Sequence, residues 1–538
     1  MSLRTRPLAA IAAERPASSL LTALLGCALA LSACGEPGVT TTASTTDACS
    51  PGEAGCECLD GGGCGSDDLV CAQGVCVDVD SESSSTTEGP MTDPSGSTSS
   101  VSETTTGDAA DCSPADGSLN AACESMDASQ PYCGASGECV DCVELTSCSS
   151  VSEQTPVCSS TGRCVECSDD NPDACPPERP VCDAAAETCE SCDEHADCPE
   201  SACDFQSGAC FPLEGVVWVD EGNPSCSNEQ GTPNKPFCTL AHALAVVDGP
   251  TTIMVHGGEY VGPLEVGSTK NVAIRAVEGS GEVIIKSAMG TALTIAPGSS
   301  VAIEGVSIAQ STDGLACSLS TLRLDRVRVI ENGTTGLVLS SCTTVMRESL
   351  VFFNGSSGMI VTGGKLDIVN TFISDNSVID IAGGAGIVAS GVADISILYS
   401  TLFGNAGTAG GPGSIICSGD PQPQVELRNS VIYGASPDSM QLDACQVTTA
   451  SCAYDYELVA PEITNDLIIQ LSMNNVESYV VTTGPDAQAG LYRPQPGDGN
   501  GLRTLGVWLE GDPELDYDGD PRPDVADELD YAGADRIP

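Results

Sequence analysis

The sequence predicts an all-β protein in which a parallel β-helix solenoid follows a set of small disulfide-rich modules. One pattern occurs four times between residues 322 and 405, and each copy ends in an Asn. Apolar residues stand ten, eight and three positions before that Asn, with Thr344 as the exception, and such period-two alternation is typical of strands. A unit this short cannot enclose a core alone, so it must stack on its neighbours as a solenoid does. The four positions are Asn332, Asn354, Asn376 and Asn405.

The four asparagines have two interpretations. Turn Asn tolerates left-handed backbone, and amides stacked from rung to rung would lock the register of the strands. Alternatively, a row of amides could line a sugar groove. A single fixed phase is what register requires, so we favour the stacked ladder.

A second short strand follows each Asn, and alternation assigns its side chains to two sides. Leu337 and Leu339 should point inward, which leaves Val338, Ile360 and Val388 in an outward apolar row. An apolar row on a solvated solenoid normally meets another surface. We expect residues 461–538, predicted to form a C-terminal capping segment, to cover this row.

The solenoid domain is predicted to span residues 215–460. Its opening contains Val216-Val217-Trp218-Val219, then Pro236-Phe237-Cys238-Thr239-Leu240, then Gly258-Glu259-Tyr260. These stretches resemble the start of right-handed parallel β-helix proteins of the pectate-lyase-like class, which implies a strand, a helix over the open end and a first rung. The residues agree with this, because Thr239 suits an N-cap and apolar residues after it share one helical face.

The N-terminus predicts export and a lipid anchor. Basic residues precede an apolar run over residues 20–30 that is too short to span a membrane and ends in Leu31-Ser32-Ala33-Cys34. This ending resembles a bacterial lipobox, which implies that residues 1–33 are a signal peptide and that Cys34 is acylated. The alternative is an ordinary cleavage site with an incidental Cys. The expected location is the cell envelope, as an outer-membrane lipoprotein, or the extracellular surface.

Cysteine spacing divides the next 180 residues. After a tether over residues 34–48 come a six-Cys module over 49–79, a Ser/Thr-rich linker over 80–110 and four four-Cys repeats over 111–211. Units of this size cannot bury a core, so crosslinks must hold them. Zinc is the rival interpretation of the Cys-x-x-Cys junctions, but disulfides are the default in an exported chain. The repeats resemble Cys-rich repeats in secreted proteins of myxobacterial type.

We predict disulfides within each four-Cys set and three more in the solenoid domain. The three follow from proximity in sequence or phase, and Cys417 has no predicted partner. They are Cys226 with Cys238, Cys317 with Cys342, and Cys445 with Cys452.

The charge balance limits the partners. A formal net charge of −57 excludes nucleic acid, whose phosphates are bound by basic residues, and it would repel an acidic polysaccharide. The expected partners are a membrane, through the lipid, and a glycan or another surface protein.

β-helices of the resembled class often carry polysaccharide lyases and glycoside hydrolases. Such enzymes need clustered carboxylates and, for a lyase, a basic residue. The weak catalytic candidates are Lys365, Asp367, Asp375, Asp380 and Asp394. Fold analogy alone is a weak warrant, so a binding or structural role is favoured and a carbohydrate-active enzyme is the alternative.

The C-terminal segment contains Asp516-Tyr517-Asp518-Gly519-Asp520-Pro521-Arg522. It resembles the closing motif of bacterial surface β-helix proteins, although Arg536 replaces the Glu expected near the end. Asp516, Asp518 and Asp520 are weak calcium candidates that lack the later Glu of an EF-hand. A capping turn is favoured over calcium, and no other cofactor is expected.

Overall fold

The computed structural model describes part of the chain, which divides into two compact units, residues 1–104 and 105–538. In the first unit, β1 and β2 form an antiparallel hairpin inside the predicted six-Cys module. Cys34 and Asp380 lie outside the described residues. The described residues are 69–72, 75–78, 123, 130, 132–133, 139–143, 148, 154–377, 384–405, 413–434, 440–441, 445–454, 468–471, 475–497 and 501–536.

The four-Cys repeats are small antiparallel hairpins held by disulfides. In the second, third and fourth sets the first Cys bonds the third and the second bonds the fourth. The pairs are Cys142–Cys158, Cys148–Cys164, Cys167–Cys182, Cys175–Cys189, Cys192–Cys203 and Cys198–Cys210. In the first set Cys123 bonds Cys139. Pairing therefore stays within each described set, and these sulfurs are not free to ligate zinc.

The strands of both units, in chain order, are β1 (Leu69–Ala72), β2 (Val75–Asp78), β3 (Tyr132–Cys133), β4 (Cys139–Val140), β5 (Val157–Cys158), β6 (Cys164–Val165), β7 (Val181–Asp183), β8 (Thr188–Glu190), β9 (Cys203–Asp204), β10 (Ala209–Cys210), β11 (Val216–Val219), β12 (Thr251–Val255), β13 (Gly258–Val261), β14 (Leu264–Val266), β15 (Asn271–Ala276), β16 (Val283–Lys286), β17 (Thr291–Ile295), β18 (Ser300–Glu304), β19 (Val306–Ala309), β20 (Asp313–Ser318), β21 (Thr321–Asp325), β22 (Arg328–Ile330), β23 (Thr335–Arg347), β24 (Leu350–Phe352), β25 (Ser357–Val369), β26 (Phe372–Ser374), β27 (Ile387–Leu398), β28 (Thr401–Asn405), β29 (Ile415–Ser418), β30 (Gln424–Arg428), β31 (Val431–Gly434), β32 (Met440–Gln441), β33 (Gln446–Ala450), β34 (Cys452–Tyr454), β35 (Ile468–Gln470), β36 (Gly506–Val507) and β37 (Leu529–Asp530). The α-helices are α1 (Leu240–Val246) and α2 (Pro485–Gln488). Short 3₁₀ helices cover Pro172–Ala174, His195–Asp197, Leu213–Gly215, Val476–Ser478 and Gly501–Thr504. Among the described residues no helix has the length and apolarity needed to cross a membrane.

Helix α1 covers the open end of the solenoid, as the sequence predicts. The Thr239 hydroxyl accepts a hydrogen bond from the His242 N–H at 3.2 Å, which caps the helix. Leu240, Ala243 and Leu244 are buried against the first rung. The predicted disulfide Cys226–Cys238 closes the loop before this helix.

The solenoid is a parallel β-helix with three strands in each complete rung. We call the three sides the first, second and third faces. The first face holds β11, β12, β15, β18, β21, the second halves of β23, β25 and β27, then β30 and β33. The second face is a ten-stranded parallel sheet from β13 to β35. The third face holds β14, β17, β20, the first halves of β23, β25 and β27, then β29 and β32. The last strand, Ile468–Gln470, lies beyond the predicted boundary at residue 460.

The four asparagines form a ladder inside the solenoid, where each is at most 1% exposed. The side-chain N–H of Asn332 donates to Oδ1 of Asn354 at 3.0 Å, and the next two links are 2.9 Å each. Oδ1 of each of the last three also accepts the backbone N–H of the preceding Asn, and Oδ1 of Asn332 accepts the Ser311 N–H, so the amides satisfy buried backbone as well. The asparagines are therefore structural and do not line a groove.

A second ladder explains one wrong disulfide prediction. Four hydroxyl residues follow the turn between the first and second faces, and each hydroxyl accepts the N–H one rung before it. They are Ser349, Thr371, Ser400 and Ser430. Cys452 takes the next position and is a buried free thiol whose Sγ donates to the Ala450 carbonyl at 3.2 Å. Burial raises the pKa of this thiol to about 11.

Cys445 consequently pairs with Cys417 and not with Cys452. The reason is geometric, because residues one rung apart are close in space while sequence neighbours are carried around the solenoid. The Cys417–Cys445 separation of 28 residues is about one rung. The predicted pair Cys317–Cys342, 25 residues apart, is present and follows the same rule.

The described part of the C-terminal segment packs on the second face, so for these residues the prediction that the segment covers the third face is wrong. Val338, Ile360 and Val388 do point outward and are half-buried. The described part of the segment instead meets aromatic side chains of the second face: Phe403 stacks on Tyr492 with centroids 4.0 Å apart, and Phe372 meets Tyr517 edge-on at 4.9 Å. Aromatic rings present more apolar area than an aliphatic row, which favours this site.

Candidate functional site

An unbroken row of hydrogen-bonding side chains runs along the first face, with one residue from each of eight rungs. Strand register aligns these residues, and each is followed by a buried side chain of the solenoid or, after Gln446, by the partly buried Val447. We call them the polar row: Asn271, Ser300, Thr321, Thr343, Lys365, Asp394, Gln424 and Gln446. Rungs lie about 4.8 Å apart, so the row is roughly 35 Å long.

The last five members, Thr343 to Gln446, are exposed, whereas the first three are half-buried. The sequence contains a signal for the polar row, which is a constant distance to the ladder Asn. The periodicity of the apolar residues does not show it. Each of four members stands eleven positions before a ladder Asn, as Thr343 does before Asn354. Their residue types differ, so only the phase identifies them.

Lys365 is the cation in the middle of the exposed part. Its Nζ donates to Oδ2 of Asp367 at 2.7 Å, two residues along the same strand, and Asp394 is its register partner on the next rung. The Asp367 hydrogen bond and the Asp394 charge raise the pKa of Lys365. A lysine held in its charged form is a hydrogen-bond donor and a poor general base at neutral pH.

The structure separates the catalytic candidates. Lys365, Asp367 and Asp394 meet on the first face, as their sequence positions allow. Asp375 lies on the second face, half-buried under the C-terminal segment, where its Oδ2 accepts the Tyr492 hydroxyl at 2.5 Å. Burial raises the pKa of Asp375, against the lowering effect of this hydrogen bond. Asp375 therefore cannot share a groove with the other carboxylates.

The fourth four-Cys repeat explains why the first three members of the row are half-buried. We call residues 192–210 the docked module. Nδ2 of Asn271 donates to Oδ2 of Asp204 at 3.3 Å, and the Arg323 guanidinium lies over the Phe205 ring, 3.7 Å from its centroid. Arg275 donates to the Cys198 carbonyl at 3.2 Å. An apolar contact joins Ala202 and Phe211 to Ala273 and Ala302 of the solenoid.

A cleft of 340 Å³ opens where the docked module ends. Gln206 of the module forms one side, and Leu319, Thr321, Ser341 and Thr343 of the solenoid are among the others. Amide and hydroxyl groups dominate this lining, with one exposed apolar side chain. The cleft leads directly onto the exposed part of the polar row.

The calcium candidates form a turn. Oδ1 of Asp516 accepts the backbone N–H groups of Asp518 at 3.0 Å and Asp520 at 2.9 Å, and Oδ2 accepts the Arg536 N–H at 2.9 Å. Asp518 is paired with Arg493 at 2.6 Å. Donors already occupy both oxygens of the buried Asp516, so its role in the structure is to cap the turn. Calcium at these three residues stays a prediction.

Comparison with known proteins finds a family model that matches the Cys-rich region and solved structures that resemble part of the chain. The protein is a disulfide-rich chain with a parallel β-helix. A family model described as "Family of unknown function (DUF8331)" matches residues 110–216, the four-Cys repeats. No curated protein matches the chain.

Solved structures similar to this chain include a pectate lyase, a pectin methylesterase and an alginate lyase. Pectate lyase Pel9A is 14% identical, with 59% of this chain and 95% of that chain covered and a TM-score of 0.39. A pectin methylesterase from Aspergillus niger is 13% identical, with coverage of 52% and 94% and a TM-score of 0.30. An alginate lyase from Paenibacillus sp. str. FPU-7 is 11% identical, with coverage of 43% and 96% and a TM-score of 0.26. The activities in these names belong to those proteins.

Proposed function

We propose that this is a lipid-anchored cell-surface protein that uses the polar row of its β-helix to bind an extended, uncharged glycan. The observation that carries the proposal is the row itself, exposed over five consecutive rungs. A polysaccharide presents hydroxyl groups at regular intervals, and a row with a regular period can donate to or accept from many of them at once.

The charge of the chain narrows the ligand class. With a formal net charge of −57, the protein's field repels uronic-acid polymers and sulfated glycans. The exposed part of the row contributes one Lys and one Asp, so it is itself balanced. Amide, hydroxyl and charged groups of both signs suit neutral sugar hydroxyls, which both donate and accept hydrogen bonds.

Binding fits the arrangement on the first face better than catalysis does. Lys365 is held charged by Asp367 and Asp394, and Asp375 is sequestered on the second face. The remaining carboxylates, Asp367 and Asp394, flank the Lys as hydrogen-bond acceptors. The sequence leaves a lyase or hydrolase as the alternative, and no contact among the described residues favours catalysis over binding.

Glycan binding is tested by affinity electrophoresis of the detergent-solubilised full chain in gels containing neutral or acidic polysaccharides. We expect retardation by at least one neutral polymer. The double variant Lys365→Ala, Gln424→Ala should weaken that binding about tenfold or more, since it removes two polar contacts of about 1 kcal/mol each. The matched control is Thr362→Ala, Ser418→Ala, two exposed positions on the third face. Equal loss in both double variants, or retardation by acidic polymers only, would contradict the proposal.

The lipid anchor is tested separately at Cys34. Wild-type protein should partition into the detergent phase, and Cys34→Ala should move it to the aqueous or uncleaved fraction, because the acylated thiol is gone. Cys27→Ala, a substitution inside the predicted signal peptide, is the control and should leave partitioning unchanged. Identical partitioning of Cys34→Ala and wild type would remove the anchor from the proposal.

A further inference from the structure

The docked module occupies three of the eight rungs of the polar row much as a ligand would. Asp204 accepts a hydrogen bond from Asn271, a row member, and Gln206 lies beside Thr321, another member, in the cleft wall. Arg323, on the same strand as Thr321, stacks on Phe205. The module therefore uses a carboxylate, an amide and a ring on the surface that remains open further along.

The docked module contains one buried imidazole. His195 is 2% exposed, its Nδ1 accepts the Cys203 backbone N–H at 3.1 Å, and its ring lies 4.9 Å from the Phe205 ring. Since Nδ1 accepts, Nε2 carries the proton of the neutral ring, and Nε2 is buried with no hydrogen-bond partner among the described residues. A buried polar group in this state is costly, which suggests a role other than stability.

Charged groups of the solenoid act on this imidazole. The carboxylate of Glu304 raises the pKa of His195, and Arg275, Arg323 and Arg326 lower it. Glu304 is already engaged, because it pairs with Arg275 at 2.5 Å and also with Arg326. The other charged groups near the contact between the module and the solenoid are Asp193, Glu194, Asp197 and Asp204 of the module and Asp325 and Glu348 of the solenoid. Asp325 pairs with Arg323 at 2.7 Å and Glu348 with Arg326, while the carboxylates of Glu194, Asp197 and Asp204 accept backbone N–H groups. These five carboxylates therefore already have partners and are not free to receive an imidazolium.

We propose that the docked module is a displaceable cover on the polar row and that protonation of His195 releases it. The purpose of the cover rests on the proposed glycan function, whereas the release does not. When the module leaves, Asn271, Ser300 and Thr321 extend the exposed row from five rungs to eight. The cover and a long polymer then compete for the same three rungs, so acid favours the polymer.

The direction of the pH effect follows from linkage. Burial, and then the neighbouring guanidinium groups, lower the pKa of His195 from 6.5 to about 4, against the raising effect of Glu304. The contribution of neutral His195 to docking is therefore fully present above pH 6.5. It is lost as the pH falls towards 4, where the docked ring also becomes protonated. Between these pH values the equilibrium constant for docking should fall about tenfold for each pH unit.

Hydrogen–deuterium exchange of the full chain, without any glycan, measures the docking directly. Amides of residues 198–206 and of strand β15 should exchange faster at pH 4.5 than at pH 7, after correction for the intrinsic pH dependence of amide exchange. Residues 394–398 of the same face, which begin three rungs beyond Thr321, provide the internal reference.

His195→Asn keeps an acceptor for the Cys203 N–H and removes the titration, so the acid-induced increase should shrink at least tenfold. His242→Asn, at a half-buried His on α1, should behave as wild type. Phe205→Ala should expose the same amides already at pH 7, which shows that exchange reports docking. An acid-induced increase of the same size in His195→Asn, or no increase in wild type, would overturn the release mechanism. Either result leaves the electrophoresis test of the polar row untouched.

Discussion

The second and first faces of the solenoid are built from the same rungs but meet solvent differently. The second face presents aromatic side chains, and the C-terminal segment seals it through stacked rings, ion pairs and a buried Arg. The first face presents a polar row, and a small module covers only its first three rungs. The difference shows that outward residue chemistry, and not the solenoid itself, decides which side is closed and which is available for binding.

The largest loss of stability is expected from removing the side chain of Arg522, which helps to hold the C-terminal segment on the second face. This side chain is buried, pairs with Asp530 at 2.8 Å, donates to Asn370 Oδ1 at 3.0 Å and lies 3.9 Å from the Tyr399 ring centroid. Arg522→Ala leaves a buried carboxylate without its partner, so we expect a loss of about 3–5 kcal/mol in the attachment of the segment. Urea unfolding with limited proteolysis of residues 475–536 measures it.

Lys365→Ala is the matched change on the first face, since it removes an exposed ion pair. Its cost should be about 0–1 kcal/mol, with protection of the C-terminal segment unchanged. Similar losses in the two variants would mean that the two faces are not sealed differently.

A smaller change in the attachment of the C-terminal segment is expected from the ionisation of Asp535, which lies near the end of the segment. Burial raises the pKa of Asp535 to about 7, and the neighbouring Asp516 adds to this against the lowering effect of Arg493. A carboxyl group with a raised pKa in the folded state stabilises that state fully below about pH 4, and the stabilisation is lost as the pH rises to about 7. Attachment of the segment should therefore weaken between pH 4 and pH 7.

Asp535→Asn removes this titration and should flatten the pH profile of segment protection. Limited proteolysis at several pH values, scaled to protease activity, reports it. Asp486→Asn is the control, because that carboxylate pairs with the same Arg493 but is exposed. An unchanged slope in Asp535→Asn would show that this carboxyl group does not control the attachment.

The sequence predicts the solenoid well because its information is local and repeated. Stacking requires apolar residues at one phase in every rung, so Leu324, Met346, Ile368 and Ile397 are legible without a structure. The Asn ladder is equally legible, because one amide per turn at a constant phase is what a stacked ladder requires. The cap helix follows from its N-cap and one apolar helical face.

The sequence predicts poorly what packs against the solenoid. The C-terminal segment has no period, and three outward aliphatic residues on the third face indicate the wrong place for it. Outward Phe372 and Phe403 on the second face are the better signal, since aromatic rings bury more area. The predicted partner of Cys445 is wrong because proximity in sequence matters less in a solenoid than proximity between rungs.

The polar row escapes sequence reasoning for a related reason. Thr343, Lys365, Asp394 and Gln424 share a phase but not a residue type, so a search for repeated residues passes over them. The docked module is not foreseeable from spacing, because the contacts of Asn271 and Arg323 with it join residues 67 and more positions apart.

The difference between an open first face and a sealed second face is tested most directly by carbodiimide labelling of carboxylates in the folded full chain, read by mass spectrometry. Asp394 is exposed on the polar row, and Asp375 and Asp516 lie under or within the C-terminal segment. We predict rapid modification of Asp394 and protection of Asp375 and Asp516, with Asp375 becoming reactive in Arg522→Ala. Modification of Asp375 as fast as that of Asp394 in the wild-type protein would contradict the account.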